Sequence, residues 1–217
     1  MFITFEGVDG SGKTSQIHGL AERMRAEGLP VTVTREPGGS VGAEEIRSLL
    51  LKGEADRWSP ETEILLFTAA RRDHLEKTVW PALDAGEIVL CDRFVDTTRA
   101  YQGQKGPEQR AMVESLHGSM IGTLPDLTVL LDIDPDVALA RSLGRLAVAG
   151  SGEDRMEKKG LAFQHGLRAT YLEIAENEPQ RVMVVSALGT PEDVATRIWH
   201  AVRERMPVTS GLVDPTI

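Results

Sequence analysis

The chain has 217 residues, 41% hydrophobic and 26% charged, which is enough apolar material for one globular domain with a proper core. A net charge of −9 argues against broad binding to nucleic acid or anionic membrane, so any phosphate site has to gather its Lys and Arg locally. The single cysteine, Cys91, excludes an internal disulfide. With no leader-like start and no long apolar run, the expectation is a cytoplasmic protein without membrane or nucleic-acid partners.

Phe2-Ile3-Thr4-Phe5 reads as a short buried strand. It runs straight into Glu6-Gly7-Val8-Asp9-Gly10-Ser11-Gly12-Lys13-Thr14, which fits the phosphate-cradling pattern G-x-x-x-x-G-K-[ST]. Glycines let the backbone curl so that successive N–H groups face phosphate oxygens, Lys13 supplies a point charge, and Thr14 offers a hydroxyl to Mg²⁺. A helix follows from Ser15 to Glu27, with Ile17, Leu20 and Met24 at helical spacing, and its N-terminal dipole is aimed at the same anion. The candidate triphosphate cradle is therefore Gly7, Val8, Asp9, Gly10, Ser11, Gly12, Lys13, Thr14 and Ser15.

Val31 to Thr34 is a second strand, broken by Arg35-Glu36-Pro37-Gly38-Gly39. Ser40 starts a helix to about Lys52. Ser59-Pro60-Glu61-Thr62 starts a longer one to about Leu83, its last turn kinked by Pro81. Ile88 to Cys91 is the third strand, with Cys91 as a small buried residue. Helices are expected over 93–102 and 107–120, a strand over 127–133, a helix from Asp134 to about Leu143, and a mobile Gly- and charge-rich lid over about 144–160. A helix over 163–176, a fifth strand over 182–185 and a helix from Thr190 to about Met206 complete a single domain, 1–206. A disordered tail, 207–217, follows. Strands alternating with helices give a five-stranded parallel sheet covered on both faces, with ligands at the carboxyl ends of the strands.

The residues just after each apolar run are therefore the candidates for chemistry. Asp92, closing the third strand, is in the setting of a carboxylate that orients Mg²⁺; Asp132 is its rival. Arg93, Thr97 and Tyr101 recur every four residues and share a helix face, with Thr98 and Gln102 beside them. On the long helix Phe67 and Arg71 are also four apart, so that one can stack a flat ring while the other reaches its polar edge. Arg141, Arg145 and Arg155, at or in the lid, can neutralise charge on a transferring phosphoryl group.

Taken together, Phe5 to Thr14, Thr34 to Gly39, Leu66 to Arg71, Asp92 to Gly103 and Asp154-Arg155-Met156-Glu157 resemble the thymidylate kinases, from Met1 to about Arg205. The resemblance implies a P-loop nucleoside-monophosphate-kinase fold, Mg-ATP as phosphoryl donor, dTMP as acceptor and a homodimer. It implies that Asp9 contacts the sugar hydroxyl and that Arg93, with Arg35, holds the acceptor phosphate. Phe67, Arg71, Thr98, Tyr101 and Gln102 then form the base and sugar site, and Glu36 and Asp92 help place metal and acceptor. Phe94 and Thr97 stand where the family often has Tyr and Ser. Gly10 replaces an arginine found in some members, which points to the members whose catalytic arginine comes from the lid. The alternatives are another nucleotide or nucleoside kinase on this scaffold, or a P-loop GTPase switch. The Asn-Lys-x-Asp guanine motif of such switches has no counterpart here, since the only asparagine, Asn177, precedes Glu178.

Overall fold

Short runs of β-branched and aromatic residues, each followed by a helix, force parallel pairing, because the chain must cross back over the sheet before the next strand can start. The computed structural model describes residues 1–54, 56–141 and 160–206. Its strands are β1 (Phe2–Glu6), β2 (Val31–Arg35), β3 (Ile88–Asp92), β4 (Leu127–Asp132) and β5 (Val182–Ser186), in the spatial order β2-β3-β1-β4-β5, all parallel. The expected five-stranded parallel sheet is thus present. β1 lies at its centre and delivers the glycine loop to the middle of the carboxyl edge.

Side chains alternate across a strand, so the two faces of β1 have different neighbours. Ile3 and Phe5 join a core with Ile17, Leu20 and Met24 of α1 (Lys13–Ala26) and Val194, Ile198 and Val202 of α9 (Pro191–Arg203). On the other face Phe2 packs with Leu75, Val79, Val89, Cys91 and Phe94. Also on that face, Thr4 bonds Thr128 Oγ1 at 2.8 Å across the β1–β4 pair. Burial pushes the Cys91 thiol well up from its ordinary value, as suits the inert strand residue expected of it.

Helix starts follow their capping residues. Ser40 Oγ accepts from Ala43 N–H before α2 (Val41–Leu51), and Ser59 Oγ accepts from Thr62 N–H before α3 (Pro60–His74). Thr190 and Asp193 form a reciprocal capping box at α9. The remaining helices are α4 (Trp80–Asp84), α5 (Val95–Tyr101), α6 (Pro107–Leu116), α7 (residues 135–141) and α8 (Leu161–Asn177).

Three expectations change. The long helix is not continuous to Leu83: a π turn, Leu75–Val79, separates α3 from α4. Pro81 has no N–H and crowds the preceding carbonyl, and the widened turn with its Trp80 N–H to Leu75 O bond accommodates it. A second π turn, His117–Ile121, ends the helix expected over 107–120. Arg93 lies outside the helix expected from 93, since α5 starts at Val95 and Arg93 has φ 71°. The expected lid residues 144–159 and the expected tail lie outside the described residues.

Beneath the site, Asp96 at the start of α5 ties that helix to the turn before β5. Its carboxylate accepts from Arg99 at 2.9 Å and from Arg181 at 2.7 and 3.0 Å, and it is almost fully buried. Burial alone opposes this charge, and the two guanidiniums hold the carboxyl below its ordinary range. Asp96→Ala is expected to lower the unfolding free energy by about 3 kcal/mol in urea titration, because it takes the one buried carboxylate from two guanidiniums and leaves them only the more exposed Glu114 and Glu178. Glu173→Ala, at the exposed Arg110–Glu173 pair, is expected to change it by less than about 1 kcal/mol.

Candidate active site

The glycine loop leaves β1 and turns tightly enough to meet α7. A Cβ on Gly10, whose φ is 86°, would sit 2.0 Å from the Ala138 carbonyl oxygen, so no side chain fits there. This explains why an arginine is absent at this position: α7 occupies its space. Lys13, the first residue of α1, is buried, and its Nζ donates to Gly7 O and Val8 O at 3.0 Å each. Burial and then Arg93 push the Lys13 ammonium down to about 8, against the pull of Asp9, Asp92 and Glu6. Ser11 Oγ is buried with no hydrogen-bond partner among the described residues. A loop with a poorly compensated cation and an unused hydroxyl is built for an anion.

Thr14, in the first turn of α1, meets Asp92 at the end of β3, Thr14 Oγ1 donating to Asp92 Oδ2 at 2.7 Å. A hydroxyl and a carboxylate at the mouth of a phosphate loop are the few oxygen donors that Mg²⁺ takes from a protein when phosphates supply the rest, so the donor set fits that ion. No group of three or more His, Cys, Asp or Glu is arranged for a metal among the described residues. Asp132, the rival, is bound by Arg168 at 2.7 and 2.9 Å. Glu36, expected to help place the metal, is buried, with Oε2 held by Arg71 Nε at 2.8 Å and Oε1 by His74 Nδ1 at 3.0 Å. Both of its oxygens are thus engaged by Arg71 and His74 rather than by the Thr14–Asp92 pair.

Arg93 follows β3 in the left-handed backbone region, uncommon for a residue with a side chain. Its N–H bonds Phe5 O at 3.0 Å, its carbonyl accepts from Cys91 Sγ at 3.1 Å, and its guanidinium reaches Asp9 Oδ1 at 2.5 Å and Thr97 and Tyr171 at 3.2 Å. The helical face expected from the four-residue spacing is realised differently. Arg93 reaches Thr97 from outside the helix and lies 5.4 Å over the Tyr101 ring. Tyr101 OH in turn donates to Asp9 Oδ2 at 3.1 Å. Burial works against ionised Asp9, but Arg93, Lys13 and Tyr101 hold its carboxyl below the ordinary range.

Phe67, Arg71, Thr98 and Gln102 form a buried wall on α3 and α5. Arg71 Nη2 donates to Thr98 Oγ1 at 3.0 Å and the guanidinium lies 4.9 Å over the Phe94 ring. Gln102 Nε2 donates to Glu63 Oε2 at 2.8 Å, while Gln102 Oε1 has no partner among the described residues. A cavity of about 570 Å³ opens beside the loop, lined by Asp9, Lys13, Thr14, Arg35, Asp92 and Arg93 among others, but not by Phe67, Arg71, Tyr101 or Gln102. Arg35 is exposed there and paired with Glu44. Arg141 donates to Ala187 O at 3.2 Å beyond β5; Arg145 and Arg155 lie outside the described residues.

Glu6, Tyr171 and His74 are site residues that the sequence reading missed. Glu6 is fully buried and accepts from Phe94 N–H at 2.8 Å, Thr97 Oγ1 at 2.6 Å and Tyr171 OH at 3.1 Å. Its signal was available, as an acid closing a strand buried along its whole length. The chain has only two tyrosines, and both hydroxyls are in this network.

The thymidylate kinase family model matches residues 5–198. The thymidylate kinase of Ruegeria pomeroyi is 52% identical over 202 residues, covering 93% of this chain and 94% of that one. That of Dinoroseobacter shibae is 53% identical over 196 residues, covering 90% and 93%. A crystal structure of thymidylate kinase from Ehrlichia chaffeensis superposes with a TM-score of 0.73 at 34% identity, covering 93% of this chain and 98% of that one.

Burial, with Asp96 adding to it, pushes the Glu6 carboxyl from 4.5 up to about 7, against Arg93, Thr97 and Phe94. The folded state then keeps a proton that the unfolded chain has released, so this contribution to stability is lost as pH rises from about 4.5 to about 7. The unfolding free energy of wild type relative to Glu6→Gln is therefore expected to fall across that window and level off above it. Denaturant titrations at stepped pH giving a constant difference would contradict the assignment.

Proposed function

Because the chain belongs to the thymidylate kinase family, whose members phosphorylate dTMP to dTDP, we propose how the work is divided among its residues. Gly7 to Ser15 cradle the ATP phosphates on loop N–H groups and the N-terminus of α1. Lys13 meets the bridging oxygens of the donor, and the arriving anion supplies the counter-charge that burial denies its ammonium. Thr14 and Asp92 would hold Mg²⁺, which when bound neutralises phosphate charge. Arg93 grips the acceptor phosphate with Arg35 in support, and Asp9 and Tyr101 meet the sugar. Phe67 lies against the thymine ring, Arg71 reads its carbonyl edge, and Thr98 and Gln102 complete the site. The unpartnered Gln102 Oε1 suits a ring N–H.

The observation that supports this reading is that Lys13 and Arg93 line one cavity together with Asp9, which Arg93 bonds and Lys13 attracts through space. In this reading donor and acceptor meet end to end, with a cation for each phosphate. The acceptor phosphate is already an ionised nucleophile, so positioning and charge neutralisation do the work and no general base is required. Arg141, Arg145 and Arg155 are the candidates for neutralising the transferring group from the lid side. Exposed Val41, Leu49 and Leu65 on the adjoining α2 and α3 support a homodimer through that face. The lone buried cysteine accords with a cytoplasmic setting. Among the described residues no helix is long and apolar enough to cross a membrane.

With Mg-ATP and a panel of dTMP, dUMP, dCMP, dGMP and thymidine, the highest kcat/KM is expected for dTMP. A clear preference for another acceptor, or GTP hydrolysis with none, would overturn the reading. Lys13→Ala and Arg93→Ala are each expected to lower kcat/KM about 10³-fold or more. Sedimentation at micromolar concentration is expected to give a dimer.

A further inference from the structure

His74, the last residue of α3, is wholly buried, yet both ring nitrogens are engaged. Its Nδ1 donates to Glu36 Oε1 at 3.0 Å, and its Nε2 is held by the Thr34 hydroxyl at 2.7 Å. The loop after β2 closes over this pair. A Cβ on Gly39 would come within 2.4 Å of Thr34 Oγ1 and 2.6 Å of the His74 ring, and Thr78 Oγ1 fixes the Gly39 carbonyl at 2.6 Å. Glu36 is thereby gripped on one oxygen by His74, and it uses the other for Arg71 Nε at 2.8 Å. The result is a buried chain of contacts from Thr34 through His74, Glu36 and Arg71 to Thr98, running from β2 through α3 to α5.

A carboxylate on a short stem can rotate about its terminal bonds. A guanidinium bonded to it follows that rotation unless the second oxygen is also tied. Thr98 holds Arg71 by one Nη2 bond and the Phe94 ring lies under the guanidinium, so the Nε bond to Glu36 is the restraint that completes its orientation. We propose that His74 is a positioning residue which, by tying Glu36, fixes the guanidinium plane of Arg71. In this way it sets how strictly a pyrimidine nucleoside monophosphate is selected by the edge of its base. This rests on the reading of Arg71 as the residue that meets that edge. A carbonyl there accepts from Arg71 and an amino group cannot, so the plane of the guanidinium governs discrimination between dTMP and dCMP.

The test uses full-length enzyme and four variants. His74→Phe keeps the volume and removes both bonds. His74→Asn keeps a donor where Nδ1 stands and gives up Thr34. Thr34→Val releases Nε2 alone, and Arg71→Ala is the control. His74→Phe is expected to raise the KM for dTMP about tenfold and to narrow the dTMP-to-dCMP ratio of kcat/KM by about tenfold, with KM for ATP within about twofold. His74→Asn is expected to recover most of both changes, and Thr34→Val to show a smaller shift in the same direction. Should His74→Phe fail to fold, the paired shifts of Thr34→Val and His74→Asn decide. Equal losses in dTMP KM, ATP KM and kcat, or His74→Asn as impaired as His74→Phe, would mean a purely structural histidine and overturn the proposal. If Arg71→Ala leaves the ratio unchanged, the base-edge reading fails and the proposal with it. If Arg71→Ala collapses the ratio while the His74 variants leave it intact, only the proposal fails.

Discussion

Two cations lining one cavity, Lys13 buried and Arg93 partly so, set the terms for everything around them. Lys13 and Arg93 repel one another and have both lost water, so the fold must supply negative charge close by without cancelling the attraction for phosphate. Asp9 bonds Arg93 and attracts Lys13 through space, Asp92 stands at Thr14, and Glu6 is buried nearby. The compensation is partial, and in the function proposed above an incoming phosphate makes good the shortfall at Lys13. The strained backbone at Arg93 belongs to the same arrangement. Bonds to Phe5 and Cys91 on the main chain, and to Asp9, Thr97 and Tyr171 on the side chain, overdetermine a conformation that a free residue would leave.

The architecture was legible because each signal was local and periodic. Glycine loop, strand runs, Ser and Thr caps and Pro at first helical positions all report on their own few residues, and the five parallel strands followed from alternation. What periodicity could not show was where a helix changes its pitch. Nothing in Leu75–Val79 breaks the apolar spacing, and the π turn arises from the demand of Pro81 further along. Arg93 was misplaced for a similar reason. Spacing of four reads as one helical face, while the chain reaches Thr97 from a left-handed residue ahead of the helix.

In the site, residues directly after strands were visible and those reached through tertiary contact were not. Asp92 and Lys13 announce themselves by position. Tyr171 and His74 are remote in sequence from what they hold, and no spacing rule connects α8 to β1 or the end of α3 to the loop after β2. Glu36 shows the limit from the other side. The family resemblance gave it a metal to place, whereas both of its oxygens are taken by Arg71 and His74, a fact that only the packed structure contains.

The π turn between α3 and α4 has an implication at the level of chain length. It carries one residue more than an α-helical turn, and each residue of a helix turns it by about 100°. An in-frame codon loss here would leave every apolar residue apolar. It would also close the widened turn to an ordinary α turn and press the Pro81 ring against the carbonyl four residues back. Of these five positions only the exposed Glu76 and Lys77 can drift freely, since Leu75 and Val79 are core and Thr78 holds Gly39; the spare residue itself is kept for Pro81.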